Sequence, residues 1–442
     1  MIPVNFTGLP FYPILDEPED QTGEVFCPII KATYTINGDG SLTLLPFEEQ
    51  PEVSGPIDYE DDLGKGPRHD DDLVTWKPNV DVLLNAVCYP PADAKVTEQC
   101  VAFGVEGHFR KELLVTGPRW WEPTPLGDWE MSEPKPLEPT PLRWEYSFGG
   151  ISCETNPIGL GYEADLRSDP ENPFYSLPRI ENPNDRIHDP DDTPLPVNFG
   201  PIPEHWSMRD KKLGTRDLRW QVFTAPKPPK DYDPTFMNAA PEDQQVARLR
   251  GDEIIFIENC HPAQTFFNIA LPNVRPRMFY VLVGDKERTL HELPLNIDTV
   301  RVDLEAGQLI LLWRSYWEHG YENLDDVLDY IHIVEEKANE KPASAIDYHQ
   351  PFIEAIPEYE EAIMIANLTA EQVEEAYFPE AVNKIVEEFK KAGMPDAYIN
   401  RVKQEDNSTD LFRSIQEMIE EKNTEIKQMM DEVKSRYENP GY

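Results

Sequence analysis

The side chains of this chain that could do chemistry are scattered, and their spacing decides what each can be. His291-Glu292 has no second histidine at the helical interval, so the two-histidine zinc face of a metalloprotease is absent. Cys260 and His261 are adjacent, with Asn259 before them and Pro262 after. Neighbours on a strand end point to opposite faces, so a thiol–imidazole couple cannot form there. Two acidic clusters, Asp70-Asp71-Asp72 after His69 and Asp189, Asp191 and Asp192 after His188, have the oxygen-rich chemistry that calcium prefers. Neither has the glycine and terminal glutamate of an EF-hand loop. In a chain with 83 acids such clusters are expected by chance, as solvated loops. Gly159-Leu160-Gly161 lacks the third glycine and the strand-to-helix setting of a dinucleotide loop, and Gly64-Lys65-Gly66 is too short to cradle a nucleotide. No Gly-x-Ser-x-Gly occurs. Paired carboxylates for glycoside cleavage need spatial rather than sequence spacing, so that chemistry stays open while nothing selects a pair. By its residues alone the chain reads as a non-catalytic binding or scaffolding protein, with no catalytic residue, metal ligand or cofactor assigned.

Composition narrows the partners. The formal charge of -43 repels nucleic acid, and no Lys/Arg cluster offsets it. Anionic lipid is disfavoured for the same reason, whereas a basic partner is attracted and its association accelerated. Cys27, Cys88, Cys100, Cys153 and Cys260 are odd in number and widely spaced, which fits small apolar residues in a reducing compartment. Met1 to Pro10 lacks the basic start and apolar core of a signal peptide, and no run is long enough to span a bilayer. The expectation is a soluble cytoplasmic protein. With 442 residues two units are expected, and 44 prolines predict much irregular loop in the larger one.

The stretch from Pro141 to Tyr162 is the natural anchor. Leu142, Trp144, Tyr146 and Phe148 alternate with Arg143, Glu145 and Ser147, the period of a strand with one buried face and Arg143 and Glu145 turned to solvent or each other. Gly149-Gly150 ends the run, and Asn156-Pro157, Gly159 and Gly161 force turns. This predicts a central strand leading into an ordered loop, with a binding loop built on Asn156 as the alternative.

Strands are predicted over Val25 to Ile36 and Leu42 to Phe47, joined by the turn Asn37-Gly38-Asp39-Gly40. More follow over Asp81 to Val87, Lys95 to Glu106, His108 to Thr116, Gly214 to Phe223 and Glu253 to Glu258. Phe266 to Leu271, Met278 to Val283, Thr289 to Leu295, Thr299 to Leu304 and Gln308 to Trp313 complete the series. Pro241 to Leu249 looks helical, with proline in its first turn. Pro118 to Pro141 reads as a loop that packs its tryptophans on the sheet. The fold class expected is mainly β, an antiparallel sandwich- or barrel-like core with long Pro-rich loops. The expected organisation is a β-rich domain over 1–334, a linker over 335–356 and an acidic α-helical C-terminal region over 357–442. There Leu411, Ile415, Met418, Ile419 and Met430 fall on one stripe, which is either core or a surface for a partner helix.

Several stretches resemble a bacterial family of unknown function, number twenty-one sixty-nine in its series. They are His69-Asp-Asp-Asp-Leu-Val-Thr-Trp-Lys-Pro78 with Asp81, Phe109 to Trp120, Pro141 to Gly150 with Asn156-Pro157 and Gly159 to Gly161, and Leu177 to Pro183. Phe199 to Pro203 with Trp206 and Arg209, Ala240 to Gln245, Leu249 to Glu253, Ile297 to Val300 and Leu312 to Arg314 continue in order. The likeness covers roughly Glu24 to Trp317. Ser147 replaces the usual alanine, and Asn85 stands where glycine is common. The resemblance implies no enzymatic role. It implies the company of type VI secretion, as an adaptor or chaperone that binds a toxin effector and brings it to the spike protein, and the acidic charge of the chain favours a basic effector. Lys77, Asp81, Arg119, Arg143, Glu145, Gly149, Gly150, Asn156, Gly159, Trp206, Arg209, Gln244, Gln245, Asp252, Glu253, Asp298 and Arg314 are then framework, the arginines pinning loop carbonyls or carboxylates through forked hydrogen bonds. The alternatives are a β-sandwich enzyme acting on carbohydrate or another polar polymer, and a toxin component.

Overall fold

Runs rich in β-branched and apolar residues, buried on both faces, build the centre of the molecule. In the computed structural model residues 2–349 are described apart from 6, 8, 17–24, 60–65, 93, 127, 163–174, 226 and 319–327, and beyond 349 only 390, 400, 401 and 403. The chain divides into two compact units, Met1–His349 and Gln350–Tyr442. The expected C-terminal helices and the stripe of Leu411, Ile415, Met418, Ile419 and Met430 lie outside the described residues.

The first unit is mainly β. Its largest sheet has eight strands, in the order Gln245–Val246, Val80–Asn85, Asn296–Asp303, Gln308–Arg314, Val25–Ile36 and Phe11–Asp16, with Leu42–Leu44 and Trp317–Glu318 also paired to Val25–Ile36. A five-stranded sheet runs Ile180–Glu181, Phe109–Thr116, Glu98–Val105, Ile254–Glu258 and Phe266–Ala270. A four-stranded sheet joins Ile2–Asn5, Leu328–Lys337, Val274–Leu282 and His291–Leu293.

One core cluster takes one face of the large sheet (Phe26, Ile30, Val82, Val300, Leu311, Trp313) and the facing side chains of the five-stranded sheet (Val101, Phe103, Leu113, Ile257, Phe267). Met278, Ile331 and Ile333 bring in the four-stranded sheet. Two sheets share a core as the leaves of a sandwich do, and each buried aliphatic or aromatic side chain contributes about 1.5–3 kcal/mol. No barrel closes among the described residues. No described helix is long and apolar enough to cross a membrane.

Local patterning places most strands. Val25–Ile36 is a strand throughout, and the Asn37 N–H reaches Ser41 O while Gly40, at φ +82°, closes the turn that follows. Glu98–Val105 and Phe109–Thr116 pair around Gly107, at φ +77°. Other expectations need correction.

The alternating run after Pro141 is no central strand. Trp144–Tyr146 is a 3₁₀ turn between two-residue strands, Thr140–Pro141 and Phe148–Gly149. Arg143 and Glu145 are buried along with their apolar neighbours, so the alternation does not separate an inside from an outside.

Gly214 to Phe223 is no strand either. Leu218–Phe223 is helical because the Asp217 side chain accepts from the Trp220 N–H and caps the first turn. Pro241 to Leu249 forms a 3₁₀ turn at Glu242–Gln244 and then the short strand Gln245–Val246, since the Gln244 amide is tied to Val82 O and Phe199 O.

The five-stranded sheet is antiparallel throughout, but the eight- and four-stranded sheets each contain one parallel pair. Val80–Asn85 lies parallel to Asn296–Asp303, Asp81 opposite Thr299, a pairing that needs a long crossover between its partners. In addition, the Pro118 to Pro141 segment contains the strands Trp120–Pro123 and Trp129–Met131, and Trp121 is buried with Phe148 and Leu177. The strand Leu328–Lys337 runs past the expected boundary at Val334.

Candidate functional site

The second face of the eight-stranded sheet is as dry as the first, but beside an apolar cluster of Ile29, Ile310 and Leu312 it carries buried charges. Lys31, Arg301, Asp303 and Arg314 project from its strands and are buried. Loops cover this face, and loop backbone brings carbonyls and N–H groups that must be hydrogen-bonded when water is excluded. The His69–Pro78 stretch crosses it. Asp72 takes Lys31 Nζ at 2.8 Å and Arg301 Nη2 at 3.1 Å. Arg314 donates Nη1 to Asp72 O at 3.1 Å and Nε to Asp298. Arg68 Nη2 meets Asp303 Oδ2 at 2.8 Å, and His69 Nε2 lies 3.5 Å from the same carboxylate.

The electrostatics follow from this arrangement. Burial alone would raise the Asp72 carboxyl, but Arg301 and Lys31 hold it below the usual range. Burial would likewise raise Asp303, yet His69, the Ala306 N–H and Arg68 together hold it at about 2. His69 itself is pushed down, chiefly by burial.

Above this network three of the family-like stretches converge on a cleft of about 360 Å³. His69, Asp70 and Asp71 line one side, Pro157 and Ile158 another, and Pro201, Pro203, Glu204, His205 and Trp206 a third, with Pro56, Asp58 and Pro67 completing the wall. The local reasons are legible. Asn156, fully buried, donates its amide to Trp144 O at 2.8 Å and Phe148 O at 2.9 Å, fixing the turn that presents Pro157. Gly149 is required there, because a Cβ would sit 2.1 Å from Asn156 O. Gly150 N–H donates to the same carbonyl at 3.0 Å, and Gly159 packs against the Asn156 amide. Trp206 stacks edge-on against Trp144 at 5.4 Å, and the Trp144 indole donates to Pro201 O at 2.8 Å. Arg209 lies beneath, donating to Ile202 O at 2.7 Å, Phe236 O at 3.0 Å and Asp70 Oδ1 at 2.9 Å.

The aspartates expected in solvated loops are therefore divided. Asp70 and Asp72 are buried in ion pairs, a correction that follows from Arg209, Lys31 and Arg301 arriving from far along the chain. Asp192 stays in an exposed turn, accepting from the His188 and Asp189 N–H groups. Among the described residues no group of three or more His, Cys, Asp or Glu is placed to hold a metal ion.

The remaining framework residues fall into separate places. Lys77 Nζ binds Asp81 Oδ2 at 2.8 Å, and Asp81 also accepts from Asn238 and from the Ala239 and Ala240 N–H groups, with Gln245 donating to Ala240 O. A larger cleft of about 480 Å³ opens beside Lys77, Asp298 and Arg314. Arg119 pairs with Glu181 away from both clefts. Glu253 accepts the Arg250 and Gly251 N–H groups, and Asp252 pairs with the Arg250 side chain. The Arg143 guanidinium stacks on Tyr59 at 3.6 Å, with Glu305 at 3.5 Å, and Glu145 is buried near Gly66. His261 stacks on Phe267 while Cys260 is buried.

Residues 21–314 match the family described as an uncharacterized protein conserved in bacteria (DUF2169). The chain belongs to this family. No curated protein and no solved structure matches it.

Sequence reasoning passed over Lys31, Lys111, Glu181, Arg301 and Asp303 as members of the buried ionic framework. A charge inside an apolar run, as in Ile29-Ile30-Lys31-Ala32, is the signal that was available. Lys111 is the sharpest case: burial pushes its ammonium down to about 8, and it donates to Asn198 O, Asp243 Oδ1 and Gln244 Oε1.

Proposed function

We propose that the chain is a non-catalytic adaptor or chaperone of type VI secretion, which holds a toxic effector in the bacterial cytoplasm and helps load it onto the spike protein. The observation that carries this reading is the acidic, proline-walled cleft at which the His69–Asp71, Asn156–Ile158 and Pro201–Trp206 stretches meet. A concave site with carboxylates at its edge and a framework of buried ion pairs beneath it suits gripping a basic macromolecule. Its rigidity comes from the network rather than from the cleft itself, so the site is held before a partner arrives. A formal charge of -43 adds long-range attraction for a basic effector and speeds its capture.

The test is co-expression of the full chain with the toxin and spike encoded beside it, followed by pull-down. Both partners should be retained at low salt, and retention of the effector should weaken as ionic strength rises. A chain that retains neither partner at low salt overturns the reading.

A further inference from the structure

The cleft has a floor and a rim of different character. At the floor, the Asp70 side chain is 6% exposed and its Oδ1 accepts from Arg209 at 2.9 Å, but Oδ2 is buried with no hydrogen-bond partner. That oxygen is closed to the cleft, so Asp70 acts there through its charge on Glu204 rather than through a contact. At the rim stand Asp58, Asp71 and Glu204. The Glu204 carboxyl is raised, first by burial and then by Asp70 and Asp71, against the pull of Arg209, whose Nη2 is 3.8 Å away. No lysine or arginine is among the described residues lining the cleft. Its walls are proline rings and Ile158, apolar surface of the kind that holds an alkyl stem.

We infer that this cleft binds the cationic side chain of a lysine or arginine presented by a partner protein, its methylenes between the proline rings and its charged head at the rim carboxylates of Asp71 and Glu204. An anion is excluded by the four carboxylates, and a metal ion by the absence, among the described residues, of a ligand group of three. A guanidinium or ammonium fits both demands: it donates several hydrogen bonds in different directions, and it leaves apolar atoms for the walls. The inference rests on the reading of the chain as a binder of a basic partner, and it names the contact through which that partner is read.

The experiment uses the full chain and three capped pentapeptides, each with glycines around one central arginine, lysine or citrulline, titrated by calorimetry and by saturation-transfer NMR. The arginine and lysine peptides should bind, and the neutral citrulline peptide should bind at least about tenfold more weakly, the loss expected of one charge-assisted hydrogen bond. The double variant Asp71→Asn with Glu204→Gln, both off the buried floor, should lower the arginine peptide's affinity about tenfold with an unchanged melting temperature. Equal affinity for the arginine and citrulline peptides overturns the inference, as does an arginine affinity untouched by the double variant. The pull-down separates the two readings. A chain that prefers the arginine peptide but captures no effector upholds the cleft and sinks the adaptor. A chain that captures the effector equally with and without the double variant, and shows no peptide preference, sinks the cleft alone.

Discussion

Of the two faces of the eight-stranded sheet, one excludes water by apolar packing and the other by an apolar cluster, Ile29, Ile310 and Leu312, together with buried ion pairs. Phe26, Ile30, Val300 and Leu311 meet other apolar side chains across one face. Lys31, Arg301, Asp303 and Arg314, on the same strands, meet loop carboxylates and carbonyls, or in the case of Asp303 an arginine of the short strand Pro67–His69, across the other. Apolar packing is non-directional and asks chiefly for volume. A buried ion pair asks for a particular partner in a particular place, and it leaves an uncompensated charge when that partner goes. The difference explains how long, Pro-rich loops can lie against a dry sheet: the charges on the strands satisfy the backbone that the loops bring with them.

The comparison can be broken most directly at Asp72. Asp72→Ala strands both Lys31 and Arg301, and should cost about 3–5 kcal/mol in chemical denaturation, the loss typical of a severed buried pair. A cost below about 1 kcal/mol would mean that the ionic face is wetter than its burial implies. Acid should act on the same face. Asp303 is held at about 2 against an ordinary 3.8, so its contribution, about 2 kcal/mol, is complete above pH 3.8 and is lost as pH falls through about 2. The midpoint of denaturation followed from pH 5 to about 2 should fall less in Asp303→Asn than in the parent chain. On the apolar face Leu311→Met, which keeps volume, should cost less than about 1.5 kcal/mol, and a larger loss would show that this face is as exacting as the other. Smallest of all, Glu204→Gln at the rim of the cleft should leave stability within about 0.5 kcal/mol, because that carboxylate supports no framework contact closer than 3.8 Å.

The β unit also decides where it can be cut. Glu336 lies in the strand Leu328–Lys337 and pairs with Arg275 and Arg277, while Tyr348 donates to its carboxylate at 2.6 Å. Burial would raise Glu336, but Tyr348 and the two arginines hold it at about 2. A cut after Val334 removes this residue, so a truncation meant to spare the β unit and test recruitment belongs after His349. The chain that ends there should keep the melting behaviour of the first unit in calorimetry, and the one ending at Val334 should not.

Legibility followed the range of each interaction. Strands such as Val25–Ile36 and Gln308–Arg314, and the turns at Gly40 and Gly107, were readable because runs of β-branched, aromatic and apolar residues and the glycines that end them are properties of neighbouring residues. The turns at Gly149 and at Asn156-Pro157 were readable from turn chemistry. The stretch from Leu142 to Phe148 misled because it alternates without lying in a sheet, its polar residues buried as deeply as its apolar ones. The His69–Asp72 cluster misled in the other direction, toward solvent, because its partners were not in view.

The sequence by itself determined a mainly β chain, its anionic charge, its principal hairpins and turn positions where glycine was needed. Each of these is set by composition or by residues a few places apart. Only the tertiary structure decided that the acids after His69 are buried, that the motif loops share one cleft, and that the large sheet contains a parallel pair. Arg209 and Asp70 are 139 positions apart, and Arg314 and the Asp72 carbonyl 242. A charge's partner at that distance is chosen by how strands and loops pack in space, which no local pattern encodes.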